Sequence, residues 1–260
     1  MTTTITAPHR VTQSRVLHAE WHKLRTLRST WISLALVPAL TLATGLTIGA
    51  SYESGDADEM DVVLLTLLGM QFTQIVVGVL GILATAGEHS TGLIRSTMTA
   101  VPRRLPVLWS KAAVIGTVSF VAVLATNLVT FSAVQTVLTG TDKAASLTDP
   151  GILQALVGNA AGLALLAVTA LALGALIRHV AGAIGVLIGL LMILPEVLRM
   201  LPYDVIDDAV RYFPAKAVEA LTVADPAPGM TSPGSALLAL ALWAAATLAM
   251  AAWVLRRRDV

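Results

Sequence analysis

Few residues of this chain stand in spacings that would support catalysis. His18 and His22 lie four residues apart in HAEWH, but the glutamate between them is one position away from its place in the zinc motif H-E-x-x-H. The sequence contains no cysteine, which excludes disulfides, thiolate metal sites and a cysteine nucleophile. It also lacks G-x-S-x-G and the phosphate-binding G-x-x-x-x-G-K-[ST]. The sequence therefore predicts no catalytic, cofactor-binding or metal-binding residue, and any ATP hydrolysis would take place on another chain.

Charged residues concentrate instead between two very apolar stretches, in GEHSTGLIRSTMTAVPRR at 87–104. Four apolar residues follow one another at helical spacing and form an apolar stripe: Ile94, Met98, Val101 and Leu105. The stripe predicts a short amphipathic helix that lies flat against the membrane. A positively charged loop that only fixes the topology would explain the arginines. It would not explain the stripe or the negative charge of Glu88.

The composition is typical of an integral membrane protein. Of the 260 residues 56% are hydrophobic and only 13% are charged, and the mean hydropathy is +0.79. Soluble domains are about a quarter charged, so this chain has too little polar surface for a water-soluble globule. About 20 apolar residues cross a bilayer as a helix, which satisfies its own backbone hydrogen bonds. We predict an all-α protein with six spans, at 31–50, 62–86, 112–138, 151–177, 181–201 and 236–255.

The lysines and arginines predict the orientation of these spans. All of them lie on one side except Lys143, Arg199, Arg211 and Lys216. By the positive-inside rule the basic side is cytoplasmic, so both termini are expected inside the cell. We expect the chain in a bacterial plasma membrane, with 202–233 as its longest outer segment. The helical spacing of apolar residues within that segment predicts a helix that leans on the outer membrane surface.

The basic segment before the first span predicts a second amphipathic helix. Trp21 and Leu24 belong to its apolar face, while Lys23 and Arg25 supply positive charge. Such a helix lies in the plane of the lipid headgroups. The predicted divisions of the chain are a tail with this helix at 1–30, a six-span domain at 31–255, the cytoplasmic segment at 87–106, the outer segment at 202–233 and a tail at 256–260.

Amides are the most polar side chains within the predicted spans. They either hydrogen-bond neighbouring helices or line a transport pathway, and hydrogen bonding between helices is the commoner role. No span carries a charge near its centre, which argues against a proton-driven transporter and favours an amphipathic or hydrophobic cargo. Three G-x-x-x-G pairs, at 45/49, 158/162 and 185/189, indicate close helix packing. The amides are Gln71, Gln74, Asn127, Gln135, Gln154 and Asn159.

Together these features resemble the type-2 ABC export permeases, the membrane subunits of bacterial ABC exporters. The resemblance covers essentially the whole chain and rests on the helix EWHKLRTLRSTW, the six spans, the 87–104 segment and the outer RYFPAKAVEAL. The alanine-rich composition is similar to that of actinobacterial permeases. The family pattern G-E-x-x-x-G-x-I-R is present as Gly87, Glu88, Gly92, Ile94 and Arg95, with Leu93 inside the pattern and Met98 shortly after it.

The resemblance implies how the chain would work. In that family the segment at 87–106 is a coupling helix that docks on a separate ATP-binding subunit, which holds ATP and Mg²⁺. It also implies a second permease, identical or different, contact with membrane lipid, and export of a drug, antibiotic, lipid or peptide; it implies no nucleic acid. A membrane protein without an ATPase, either a secondary transporter or a structural partner, is the alternative. The N-terminal helix would be the connecting helix, through Trp21, Lys23, Leu24 and Arg25.

Overall fold

The structure is a computed structural model that describes residues 12–52, 61–90, 104–225 and 230–257. Within these residues it consists of helices joined by turns, without strands, which confirms the all-α prediction. The helices are α1 (Gln13–Thr26), α2 (Arg28–Ser51), α3 (Val62–Thr66), α4 (Met70–Leu83), α5 (Ala86–Ser90), α6 (Arg104–Val137), α7 (Ile152–Ile177), α8 (Val180–Ile188), the π-helical turn Gly189–Ile193, α9 (Leu194–Arg199), α10 (Asp204–Val210), α11 (Pro214–Ala220) and α12 (Pro233–Arg257).

In the part of the chain that the structure describes, five helices are long and apolar enough to cross a membrane. They coincide with five of the predicted spans, although α6 begins at Arg104 rather than at 112. Pro106 therefore lies in the first turn of α6, where its missing N–H leaves no intrahelical bond unmade. The end of the predicted 87–106 segment thus belongs to a spanning helix. The five are Arg28–Ser51, Leu105–Val137, Ile152–Ile177, Val180–Arg199 and Pro233–Arg257.

The second predicted span, 62–86, is not one continuous helix. Turns at 67–69 and 84–85 divide it into α3, α4 and α5, and α4 alone has 14 residues. At 1.5 Å per residue α4 is about 21 Å long, which is shorter than the hydrocarbon core. The first turn lies where α2 comes close. A Cβ on Gly69 would collide with the Thr44 hydroxyl and lie 2.9 Å from Thr41 Cα.

The fifth span is continuous but changes its winding. α8 passes at Gly189–Ile193 into a π-helical turn, directly before the turn that contains Pro195. Proline lacks an N–H and crowds the carbonyl four residues earlier, and a π-helical turn is one way to absorb that disruption. Proline inside a helix commonly kinks or breaks it. The structure instead changes the helix type just before it.

The centre of the bundle is α7, which packs against α4, α6 and α12. Leu156, Leu163 and Leu171 on α7 are fully buried. Close approach is clearest at Gly81 of α4, where an added Cβ would meet the backbone of Ala167 and Leu171. Of the three predicted glycine pairs, 45/49 and 158/162 are packed against other helices, whereas nothing lies within 4 Å of a Cβ built at 185 or 189.

The 202–233 segment is only partly the surface helix that the sequence predicted. α10 is largely exposed, with Val205 80% accessible. α11 instead packs against α7 and α12, and its Ala217 and Val218 are buried. The small side chains of Ala215, Ala217 and Ala220 let this helix fit between two others. Pro214 begins it in the first-turn position that proline favours. α11 is therefore part of the packed bundle, whereas the apolar spacing that predicted the surface helix lies in α10 and the turn after it.

Candidate functional site

Helix α1 is fastened to the bundle at the end that carries most lysines and arginines, here called the basic end. Its first residue, Gln13, donates from Nε2 to Ser110 Oγ at 3.0 Å and to the Pro106 carbonyl at 3.3 Å. Val16 and Leu24 are buried on the same side of the helix. The helix therefore packs against the start of α6 along much of its length.

Four charged side chains meet between α1, α5 and α6, and we call them the charge cluster: Glu20, Lys23, Glu88 and Lys111. Lys111 Nζ donates to Glu20 Oε2 and to Glu88 Oε1, both at 2.7 Å. Lys23 Nζ donates to Glu20 Oε1 at 3.0 Å and to Glu88 Oε1 at 3.1 Å. Each lysine therefore bridges both glutamates, and the four formal charges cancel.

Three side chains of the charge cluster are almost completely buried, and the fourth is partly exposed to solvent. The side chains of Glu20, Lys111 and Glu88 are 5%, 7% and 11% exposed, whereas that of Lys23 is 36% exposed. Burial by itself lowers the pKa of Lys23. Hydrogen bonds and charge attraction from Glu20 and Glu88 outweigh burial, and the net result is a pKa above the ordinary 10.5. Lys23 is therefore protonated throughout the physiological range.

Local sequence explains how each element presents its charge. Glu20 and Lys23 stand three apart on α1, which puts them on neighbouring positions of one helical face. Glu88 lies in α5, just after the turn that ends α4, and Lys111 lies in the second turn of α6. Glu88 and Lys111 therefore flank 91–103 on its two sides. The cluster ties both flanks to α1.

The structure brings together only some of the predicted site residues. Lys23 and Glu88 join in the cluster, Leu24 is buried beside it, and Trp21 and Arg25 are exposed. The apolar face predicted for α1 is thus divided, because Leu24 packs into the protein while Trp21 faces outward. Gly87, which precedes Glu88 in α5, is described too. Gly92, Leu93, Ile94, Arg95 and Met98 lie outside the described residues.

Sequence reasoning missed Glu20 and Lys111. A signal for both is present in the sequence. Glu20 is the only acid of the basic helix α1, and Lys111 is the only charge in the apolar run that follows Leu105. A lone charge of this kind calls for a partner of opposite sign when it is buried. The partners lie 91 residues apart in the chain, so local spacing could not pair them.

The buried amides connect helices to each other. Asn127 Nδ2 donates to Asn159 Oδ1 at 2.9 Å and to the Leu156 carbonyl at 3.0 Å. Asn159 Nδ2 in turn donates to Thr222 Oγ1 at 2.9 Å, so the second residue after α11 joins the network. Gln135 Oε1 accepts from the Ala145 N–H at 2.8 Å. The bonds between helices favour the packing role over a pathway role for Asn127 and Asn159. Gln135 bonds only the loop that follows its own helix, and its Nε2 has no partner among the described residues.

The other three amides differ in exposure. Gln74 is buried, at 8% accessibility, while Gln71 and Gln154 are exposed on the outside of the single chain. An exposed amide is free to face lipid headgroups, a cargo or a second subunit. Among the described residues no three His, Asp or Glu side chains converge in a way that could hold a metal ion.

Comparison with known proteins does not place the chain in a family. No family model matches it, and no curated protein is significantly similar to it.

Proposed function

We propose that this chain is the permease subunit of an ATP-driven ABC exporter. In this proposal residues 87–106 receive a separate ATP-binding subunit and the helices form the path for the cargo. The observation that carries the proposal is the charge cluster, in which Lys111 Nζ lies 2.7 Å from both Glu20 and Glu88. The charge cluster joins α1 to the residues on both sides of 91–103, the segment that contains most of the family pattern.

A coupling segment moves spanning helices only if it is rigidly connected to them. The cluster supplies that connection, because Glu88 lies in α5, which only the turn at 84–85 separates from α4, and Lys111 belongs to α6. Removing one member of a buried ion pair costs several kcal/mol, so the three elements resist separation. A displacement of 91–103 by an ATPase would then move α1, α4 and α6 as near-rigid bodies.

The distribution of polar groups supports an apolar or amphipathic cargo. In the described residues the long helices carry their charges near the ends, and their buried amides are engaged in hydrogen bonds between helices. A drug, antibiotic, lipid or peptide fits such a path better than a small ion does. By resemblance a second permease completes the unit, which lies in the bacterial plasma membrane with both termini inside the cell. ATP and Mg²⁺ belong to the partner subunit.

Purification of the tagged chain from its native membrane in mild detergent tests the proposal. We expect an ATP-binding subunit in stoichiometric amount, with ATP hydrolysis. The double variant Glu88→Gln/Arg95→Gln should lose this subunit while it still inserts into the membrane. Glu196→Gln/Arg199→Gln is the matched control, because it removes the same two residue types elsewhere and should retain the subunit.

The same purification can also contradict the proposal. A stable preparation without any ATPase, from wild-type membranes that contain the intact chain, would contradict the proposal. It would favour a secondary transporter or a structural membrane protein.

A further inference from the structure

The turn between α7 and α8 consists of only Arg178 and His179. Arg178 ends α7 with φ 59° and ψ 9°, and it is the one residue other than glycine with a positive φ in the part of the chain that the structure describes. Glycine is the usual residue at this position of a helix end, since it adopts the left-handed conformation without strain. An arginine here tolerates a backbone cost that glycine would avoid. Such an outlier indicates a role for the side chain.

Two of the three guanidinium nitrogens of Arg178 are buried without an acceptor, although the residue as a whole is partly exposed. Its Nε and Nη2 are sealed from solvent and have no hydrogen-bond partner among the described residues. Buried donors are nearly always paired, and a buried unpaired charge is strongly unfavourable. The described part of the chain thus provides a recessed cation that lacks its anion.

α5, which contacts both α7 and α8, brings Glu88 to this end of the bundle, where Lys23 and Lys111 neutralise it. The remaining charged neighbours at this level are positive. Gly162 of α7 faces Leu240 of α12, and both helices run toward the basic end. Both helices rise by the same distance per residue. Position 178 on α7 and position 256 on α12 are each sixteen residues beyond this contact, so they lie at about the same depth in the bundle. Arg256 and Arg257 stand there, and both are exposed.

The start of α8 supplies further donors. His179 Nδ1 accepts from the Gly182 N–H at 3.1 Å, which leaves the proton of the neutral ring on Nε2. The first N–H groups of α8 have no partner within the helix, and the positive end of its dipole lies in this turn. All these groups favour an anion rather than a cation.

We propose that Arg178 forms the base of an anion-binding site for the phosphate of an anionic phospholipid. The guanidinium matches two phosphate oxygens in a fork, and the neighbouring arginines suit a headgroup with net negative charge. A lipid fits better than a protein carboxylate for a geometric reason. The two-residue turn does not project from the bundle, and the unpaired nitrogens are recessed at the end of two helices long enough to span a membrane. Basic pockets between membrane helices hold lipid headgroups in this way.

Thermal unfolding of the purified full chain in detergent tests this site, with phosphatidylglycerol, phosphatidylcholine or inorganic phosphate added to separate samples. Phosphatidylglycerol should raise the midpoint of the wild type and phosphatidylcholine should not. Arg178→Gly removes the guanidinium and relieves the backbone, so it should stay folded and bind phosphatidylglycerol about tenfold more weakly or worse. Arg178→Gln tests the same loss without added backbone freedom. Arg211→Gln is the control, because Arg211 lies in the predicted outer segment, away from Arg178. This variant should respond like the wild type.

The outcomes separate the two sources of phosphate. A response of the wild type to both phosphatidylglycerol and inorganic phosphate, lost in Arg178→Gly, assigns the site to phosphate oxygens in general. A response to the lipid alone assigns it to the headgroup. An equal response of the wild type and both Arg178 variants would overturn the proposal. So would a wild type that does not respond while Arg178→Gln loses a co-purifying protein, since the anion would then be a partner's carboxylate.

Discussion

At the scale of residues, the charge cluster depends on balance rather than on any single pair. Lys111 and Lys23 neutralise Glu20 and Glu88 together, and three of the four side chains are almost completely buried. Removal of a buried partner leaves an uncompensated charge, which costs more than the intact pair contributes. The cluster therefore predicts strong coupling between substitutions at its members.

Substitution Lys111→Met should destabilise the protein strongly. It leaves two glutamates with Lys23 alone, and we expect a loss of about 3 kcal/mol or more in the free energy of unfolding. The double variant Glu20→Gln/Lys111→Met restores neutrality and should recover part of this loss. Unfolding in detergent, followed by circular dichroism, measures both.

Lys216→Met is the control for this series. It breaks the ion pair with Glu219, which is partly exposed and three residues away, and should cost less than about 1 kcal/mol. If Lys111→Met were as mild as Lys216→Met, the cluster would not be a structural link.

The buried amides make a second prediction at this scale. Asn159→Leu removes bonds to Asn127 and to Thr222, and it should cost about 1 kcal/mol, since bonds between membrane helices contribute on that order. Gln71→Leu, on an exposed side chain, should leave stability unchanged. The choice of cargo should be the same in Asn159→Leu as in the wild type. An Asn159→Leu variant with normal stability and altered cargo choice would place this residue in the transport path instead.

At the scale of elements, the helices meet at distances that only glycine permits. The backbones of α4 and α7 approach each other at Gly81, and α2 approaches the turn before α4 at Gly69. Backbone atoms cannot move aside as the end of a flexible side chain can. The contact of α4 with α7 is therefore sensitive to one added methyl group.

Substitution Gly81→Ala should push α4 away from α7 and cost about 1–3 kcal/mol. Gly185→Ala adds the same methyl group on α8, where nothing lies within 4 Å of the new carbon, and should be neutral or slightly stabilising in the isolated chain. Thermal unfolding of the two variants side by side measures the difference. Equal stabilities would show that α4 and α7 pack less closely than the structure indicates.

Hydropathy was sufficient to predict most elements, and the exceptions have identifiable causes. The five long helices follow from runs of apolar residues. The division of the second span does not, because it depends on Thr44 and Thr41 of another helix lying against Gly69. The burial of α11 depends on α7 and α12 in the same way. The pairing of Glu20 with Lys111 joins residues that are distant in sequence. Helix propensity and hydrophobic periodicity describe local sequence only, so neither can predict this pair.

At the scale of the whole molecule, charge is distributed between the two ends of the bundle. Predicted cytoplasmic residues carry all lysines and arginines but four, and the charge cluster lies at that end. The orientation in the membrane is thus a prediction from charge, which cysteine labelling tests directly because the chain has no cysteine of its own.

Single cysteines at positions 100 and 144 should give opposite results. In intact cells a membrane-impermeant maleimide should label Ala144→Cys, in the exposed turn after α6, and should leave Ala100→Cys unlabelled. Permeabilised cells should label both, which controls for accessibility. Labelling of position 100 from outside intact cells would reverse the topology and would remove the basic end from reach of a cytoplasmic ATPase.

Photo-crosslinking from position 94 tests the central proposal most directly. A photoreactive amino acid in place of Ile94, irradiated in native membranes, should form an adduct with one protein that also binds a photoreactive ATP analogue. The same amino acid at Ala144 should form no such adduct. If position 94 crosslinks only to lipid or to nothing, while the chain is expressed at its normal level, this segment does not bind an ATPase and the permease proposal is wrong.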